Sequence, residues 1–99
     1  MESIMNTEKG ICFKCRQYCE TELHHIFHGT ANRKIAEREN LGVFLCRGCH
    51  ELVHRDASVN LWLERQGQSA WEKVYMEEGH TQEEARKKFM ELFGKNYIW

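Results

Sequence analysis

The sequence predicts a small α+β fold, a metal-stapled core followed by two or three helices of the same domain. Three observations carry that expectation. Two CxxC pairs bracket the first half of the chain; two short apolar stretches of strand length lie between them; and the second half shows helical periodicity with capping signals. Ninety-nine residues make at most one domain. A chain this short buries a limited core, so a metal staple helps to hold a single structure.

In order along the chain, residues 1–9 read as a loosely ordered N-terminal arm, residues 10–56 as the core and residues 57–99 as its helical extension. Gly10, Gly29, Gly42 and Gly48 mark turns in the core. Residues 23–27 and Gly42–Cys46 have the length and the β-branched or aromatic content of strands. The polar stretch 29–40 between them reads as a long loop with one helical turn around residues 35–38. Arg47–Arg55 can form a helix of about two and a half turns. Leu61, Trp62, Leu63 and Arg65 then form a helical segment that Gly67 is placed to end as a C′ glycine. Ser69 to Glu72 and Thr81 to Glu84 both match a capping box, and Gly94 closes the last helix. Trp71, Val74 and Tyr75, and Ala85, Phe89, Leu92 and Phe93, form apolar stripes that read as core.

Composition excludes several classes. The chain is 41% hydrophobic and 29% charged and has no proline, which argues against a proline-rich linker. No run approaches the ~18 apolar residues of a membrane span. The N-terminus lacks a basic stretch followed by an apolar one, so no secretion signal is expected. A reducing, cytoplasmic setting follows, in which paired cysteines bind metal more often than they form disulfides. The net charge is −1, but residues 9–55 carry eight Lys/Arg against five Glu. That slight local excess argues against tight DNA binding through phosphate neutralisation alone.

Cys12-Phe-Lys-Cys15 and Cys46-Arg-Gly-Cys49 carry the strongest signal. Two residues between sulfurs let a tight turn present both thiolates to one tetrahedral ion, and two such knuckles complete the S₄ set that Zn²⁺ prefers. Cys19, separated from Cys15 by three residues, reads as a free, partly buried thiol. A rival partition puts Cys12, Cys15, His24 and His28 in one site and Cys46, Cys49 and His54 in another. It leaves only eight residues between Cys15 and His24, where a ββα finger uses about twelve, and it ignores His25 and His50.

His24 and His25 are adjacent on the first expected strand, so their rings point to opposite sides unless twist near its end brings them to one cleft. His50 and His54 stand one turn apart on one face of the following helix. His24, His50 and His54 together make a three-imidazole set with open positions, the pattern of a catalytic rather than a structural metal. Arg33, Lys34, Arg38, Arg47 and Arg55 are candidate phosphate contacts.

The run Cys12-x₂-Cys15, Leu23-His24-His25-Ile26, Leu45-Cys46-x₂-Cys49-His50-x₃-His54 resembles the HNH endonucleases, the ββα-metal or His-Me finger group, and in detail their small phage and prophage members. The resemblance covers about residues 10–56. It implies a treble-clef-like ββα-metal core, a divalent ion on His24, His50 and His54, and His25 as the general base that activates water. The motif Asn, which orients that base, matches Asn40, with Asn32 as competitor. The family pattern sets this residue five positions before the third cysteine, whereas Asn40 stands six before Cys46. The resemblance further implies DNA as partner and substrate, Mg²⁺ or Mn²⁺ as working ion (Ni²⁺ or Zn²⁺ also suit imidazoles), a monomer or homodimer, and for a phage-encoded chain the bacterial host cytoplasm. Two other classes fit the same residues: a non-catalytic zinc module binding DNA or protein, and a phage recombination or packaging accessory docked through the helical tail. His28 and His80 receive no role.

Overall fold

A computed structural model describes residues 3–5, 7–27 and 30–98. The elements run β1 (Thr21–His25), α1 (Thr30–Arg38), β2 (Gly42–Cys46), α2 (Arg47–Arg55), α3 (Ala57–Glu77) and α4 (Gln82–Phe93). The result is a small α+β domain. Strands β1 and β2 pair antiparallel, with Thr21 opposite Cys46, Leu23 opposite Phe44 and His25 opposite Gly42. This register brings the start of β1 beside the cysteine that begins the second knuckle.

Three expectations change. The stretch read as a loop with a single helical turn is the nine-residue helix α1. Ala36 packs into the core at 0% exposure and Ile35 lies against it, which is enough to extend the turn into a helix. Secondly, Gly67 does not end a helix and Ser69 does not begin one, because α3 runs unbroken for 21 residues. Gly67 sits where α3 crosses the end of β1: a Cβ there would lie 3.1 Å from Ile26 Cγ2 and 3.3 Å from Phe27 Cε2. Its glycine serves close packing rather than a left-handed turn. Glu72, the expected partner of Ser69, instead turns inward to Arg86. Thirdly, the described part of the N-terminal arm is tied down. Met5 is buried, Ile4 N–H donates to the Asn40 carbonyl, and Phe44 N–H donates to Thr7 Oγ1.

Strand β1 also begins and ends two residues before the expected 23–27, Ile26 and Phe27 passing instead into the core beyond its end; the remaining caps match the sequence closely. Asp56 closes α2 and caps α3, its Oδ1 accepting from the N–H groups of Ser58 and Val59. Thr81 and Glu84 form the capping box of α4, and Gly94 ends that helix at φ 74°. The core joins both halves of the chain. Phe27, just past β1, packs against Phe89, Phe93 and Tyr97 at ring separations of 5.6, 4.6 and 5.2 Å. The helical extension therefore shares one core with the cysteine-rich half. No helix among the described residues is long and apolar enough to cross a membrane.

Candidate metal centres

The first centre grows from two knuckles of the same design. In each, the first cysteine's sulfur accepts the backbone N–H of the second: Cys15 to Cys12 at 3.5 Å, and Cys49 to Cys46 at 3.4 Å. The first knuckle closes through Arg16, whose N–H donates to the Cys12 carbonyl from a left-handed conformation at φ 64°. The second opens α2, with Cys46 as its N-cap. Pairing of β1 with β2 brings them together, and the four sulfurs lie within 4.8 Å of one another. Cys15 and Cys46 Sγ are 4.0 Å apart. A tetrahedral zinc with Zn–S bonds of about 2.3 Å spaces its sulfurs about 3.8 Å apart, whereas a disulfide needs about 2.05 Å. The site fits a metal such as zinc, and no disulfide forms. Burial opposes ionisation of Cys12, but backbone donors at Cys15 and Cys46 bring its thiol down to about 6. Burial and the neighbouring thiols push Cys49 far upward. Four sulfurs this close cannot all ionise without a cation between them. Cys19 stands apart, its thiol turned to the Gln17 carbonyl.

The second centre is imidazole. His24 projects from β1 and is buried, His50 is half-buried and His54 is exposed. Their ligand nitrogens lie within 4.8 Å of one another, and their rings meet at 4.9 to 5.4 Å. This gradient of exposure gives a site held from one side and open on the other. The sequence predicted this triad, and β1 beside α2 assembles it. The rival partition of the ligands does not form: Cys12 and Cys15 gather with Cys46 and Cys49, and His28 lies outside the described residues.

One residue of the site escaped the sequence reading. Glu22 Oε1 stands 3.0 Å from His50 Nδ1, and its other oxygen is 3.6 Å from Arg47 Nη2. The His50 hydrogen bond holds the Glu22 carboxyl below its ordinary value, with Arg47 adding to the effect. A carboxylate on Nδ1 selects the tautomer that leaves Nε2 able to bind a metal. Strand alternation offered the signal, since Glu22 and His24 are two apart and share a face.

His25 stands outside both clusters, as alternation along β1 requires. Asn40 is exposed at φ 59° and ends α1 in a Schellman motif, with Leu41 N–H donating to the Ala36 carbonyl and Asn40 N–H to that of Glu37. Asn32 lies within α1. Of the candidate phosphate contacts, Arg33, Lys34 and Arg55 are exposed. Arg38 pairs with Glu39 at 3.4 Å, and Arg47 is engaged with Glu22.

Compared with protein-family models, curated proteins and solved structures, the chain finds no match. The geometry of the two centres therefore carries the functional reading.

Proposed function

We propose that this protein is a metal-dependent DNA endonuclease of the HNH type, its β1, β2 and α2 forming a ββα-metal core around a structural zinc. The observation that supports it most is the convergence of His24, His50 and His54 on one open site, with His25 adjacent in sequence. A purely structural metal would have its fourth position closed by protein. Two separate ligand sets on one short unit suit a division of labour, with the cysteines holding the fold and the imidazoles doing chemistry.

In this reading His24, His50 and His54 hold a divalent ion, Mg²⁺ or Mn²⁺, which when bound supplies positive charge toward the phosphate oxygens. His25, neutral, takes a proton from water as the water oxygen attacks phosphorus. The bond to the 3′ oxygen breaks and that oxygen takes a proton from solvent water, leaving a 5′-phosphate and a 3′-hydroxyl. Glu22 fixes the His50 ring, and Asn40 orients His25. Exposed Arg33, Lys34 and Arg55 lie against DNA phosphates.

Nicking of supercoiled plasmid with Mg²⁺, Mn²⁺ or Ni²⁺ tests the proposal. Wild type should nick; His25→Ala should lose at least ~10²-fold in rate, the usual contribution of a general base, while keeping its cysteine-bound zinc. Equal nicking by both proteins rejects the general-base role. No nicking with any metal moves the protein to the class of zinc-bearing interaction modules.

A further inference from the structure

The first knuckle carries side chains that neither metal centre uses. Residues 9–19 include Lys9, Lys14 and Arg16 and no acidic residue. The Arg16 guanidinium lies 4.9 Å from the centroid of Phe13. Phe13 meets Trp62 of α3 at 6.1 Å, and Lys14 Nζ stands 6.0 Å from the Trp62 ring. A cation thus closes each end of an aromatic pair that bridges the knuckle and α3. Trp62 remains 39% exposed, and Tyr18 is 88% exposed. Tyr18 is bridged to Ile11, and residues directly opposite in such a pair put their side chains on one face. Ile11 lines a shallow cleft of about 170 Å³ with Phe13 and Arg16, closed by Thr7 and Glu8. The exposed tyrosine, the half-open tryptophan and the held cations therefore belong to one end of the molecule.

The open ring of Tyr18 and the half-exposed indole of Trp62, beside two cations, match what an unpaired nucleic-acid strand offers. Its bases expose flat π-surfaces and its phosphates lie one sugar away. Duplex DNA hides those faces within its own stack, and an acidic peptide would use the cations but not the rings.

We propose that the knuckle face of Lys14, Arg16, Tyr18 and Trp62 binds single-stranded DNA, with a base stacked on Tyr18, the next meeting the exposed part of Trp62, and phosphates on the two cations. The choice of DNA rests on the endonuclease reading; it narrows the substrate to DNA bearing an unpaired stretch. Lys14 and Arg16 also flank Cys15 in sequence, where a role in the cysteine centre is the alternative explanation for their charge. That role needs neither Tyr18 nor Trp62, so the aromatic variants separate the two explanations.

Fluorescence anisotropy of a labelled oligothymidylate, with the full zinc-loaded chain carrying His25→Ala and no added divalent ion, tests binding apart from cleavage. Tyr18→Ser should weaken binding about tenfold, the effect of losing one stacked base. Lys14→Gln with Arg16→Gln should lower the log–log salt dependence by roughly 1.4, two phosphate contacts on a single strand. A duplex of equal length should bind more weakly. Zinc content and circular dichroism confirm that each variant is folded, and Tyr18, almost wholly in solvent, is the substitution that leaves packing alone. Unchanged binding by folded Tyr18→Ser, or equal binding of single strand and duplex, overturns the inference. Intact, Tyr18-dependent binding in a protein that nicks no plasmid supports it and counts against the endonuclease reading alone.

Discussion

At His50 a carboxylate stands 3.0 Å from Nδ1, and this contact makes Glu22 the residue whose loss is most informative. Glu22→Gln keeps the shape but removes the charge. It should weaken binding of Ni²⁺ or Mn²⁺ at the imidazole site by about 10–100-fold, the usual cost of a lost outer partner. Calorimetry with both metals would measure this, and the cysteine-bound zinc should be retained. Asn40 poses a different question, because its left-handed backbone already explains an asparagine there. Asn40→Gly satisfies that backbone, whereas Asn40→Ala strains it. If the side chain orients His25, both variants lose nicking activity. Wild-type activity in Asn40→Gly would make the residue a helix terminator only and return attention to Asn32. Both residues were visible in the sequence, but a one-dimensional pattern could not show that the backbone at position 40 turns left-handed to end α1.

Among the elements, α2 and α3 show why some boundaries were legible and others not. The α2 limits follow from its own residues: Cys46 caps it, and Asp56 closes it while capping the next helix. Residues 67–72 offered equally good stop and start signals, yet α3 continues through them. Glycine and serine tolerate a helix interior at a cost of about 1 kcal/mol or less each, and the packing of a long helix outweighs that. Gly67→Ala tests the balance. The substitution gains about 1 kcal/mol of helix propensity, but its Cβ would press on Ile26 and Phe27, both fully buried. Overpacking of this kind costs about 1–3 kcal/mol. A net loss of ~1 kcal/mol is expected, or a fall in Tm of about 4–8 °C for a domain of this size. A rise in Tm would mean that the two neighbours yield.

For the molecule as a whole, the second half is locked by a buried polar network. Glu72 is 3% exposed and accepts hydrogen bonds from Gln68, Gln82 and Arg86, while Gln68 Oε1 accepts the Tyr97 N–H. Burial opposes ionisation of Glu72, yet Arg86 and the two glutamines hold its carboxyl below the ordinary 4.5. A folded pKa below the unfolded one gives stability that is complete above about 4.5 and lost as the pH falls through the folded value. Thermal melts at descending pH should therefore show Tm falling below pH 4.5, and Glu72→Gln should flatten that fall. The variant should also cost about 1–3 kcal/mol at neutral pH, from a weakened partner for Arg86. The cysteine centre acts at the same scale, since it ties residues 10–19 to the start of α2. Stripping a zinc held there with a strong chelator, or Cys46→Ala, should loosen the imidazole site as well, because Cys49 and His50 are adjacent on one helix. Loss of divalent-ion binding at the histidines on zinc removal would be the measure.

The sequence by itself determined the candidate ligand types and their spacing: two cysteine knuckles, an adjacent histidine pair and two imidazoles one helical turn apart. Those are local facts, fixed by the geometry of a tight turn, a strand and a helix. It also determined β2, α2 and the caps of α4, where the signals lie within a few residues of the boundary. Only the tertiary structure decided that residues 30–38 form a helix, that Glu22 reaches His50, and that α3 runs through its own stop signals. Each of these depends on which face of one element meets another. That choice is made by the burial of Ile26, Phe27 and Ala36 in a core shared with α4, and no local spacing encodes it.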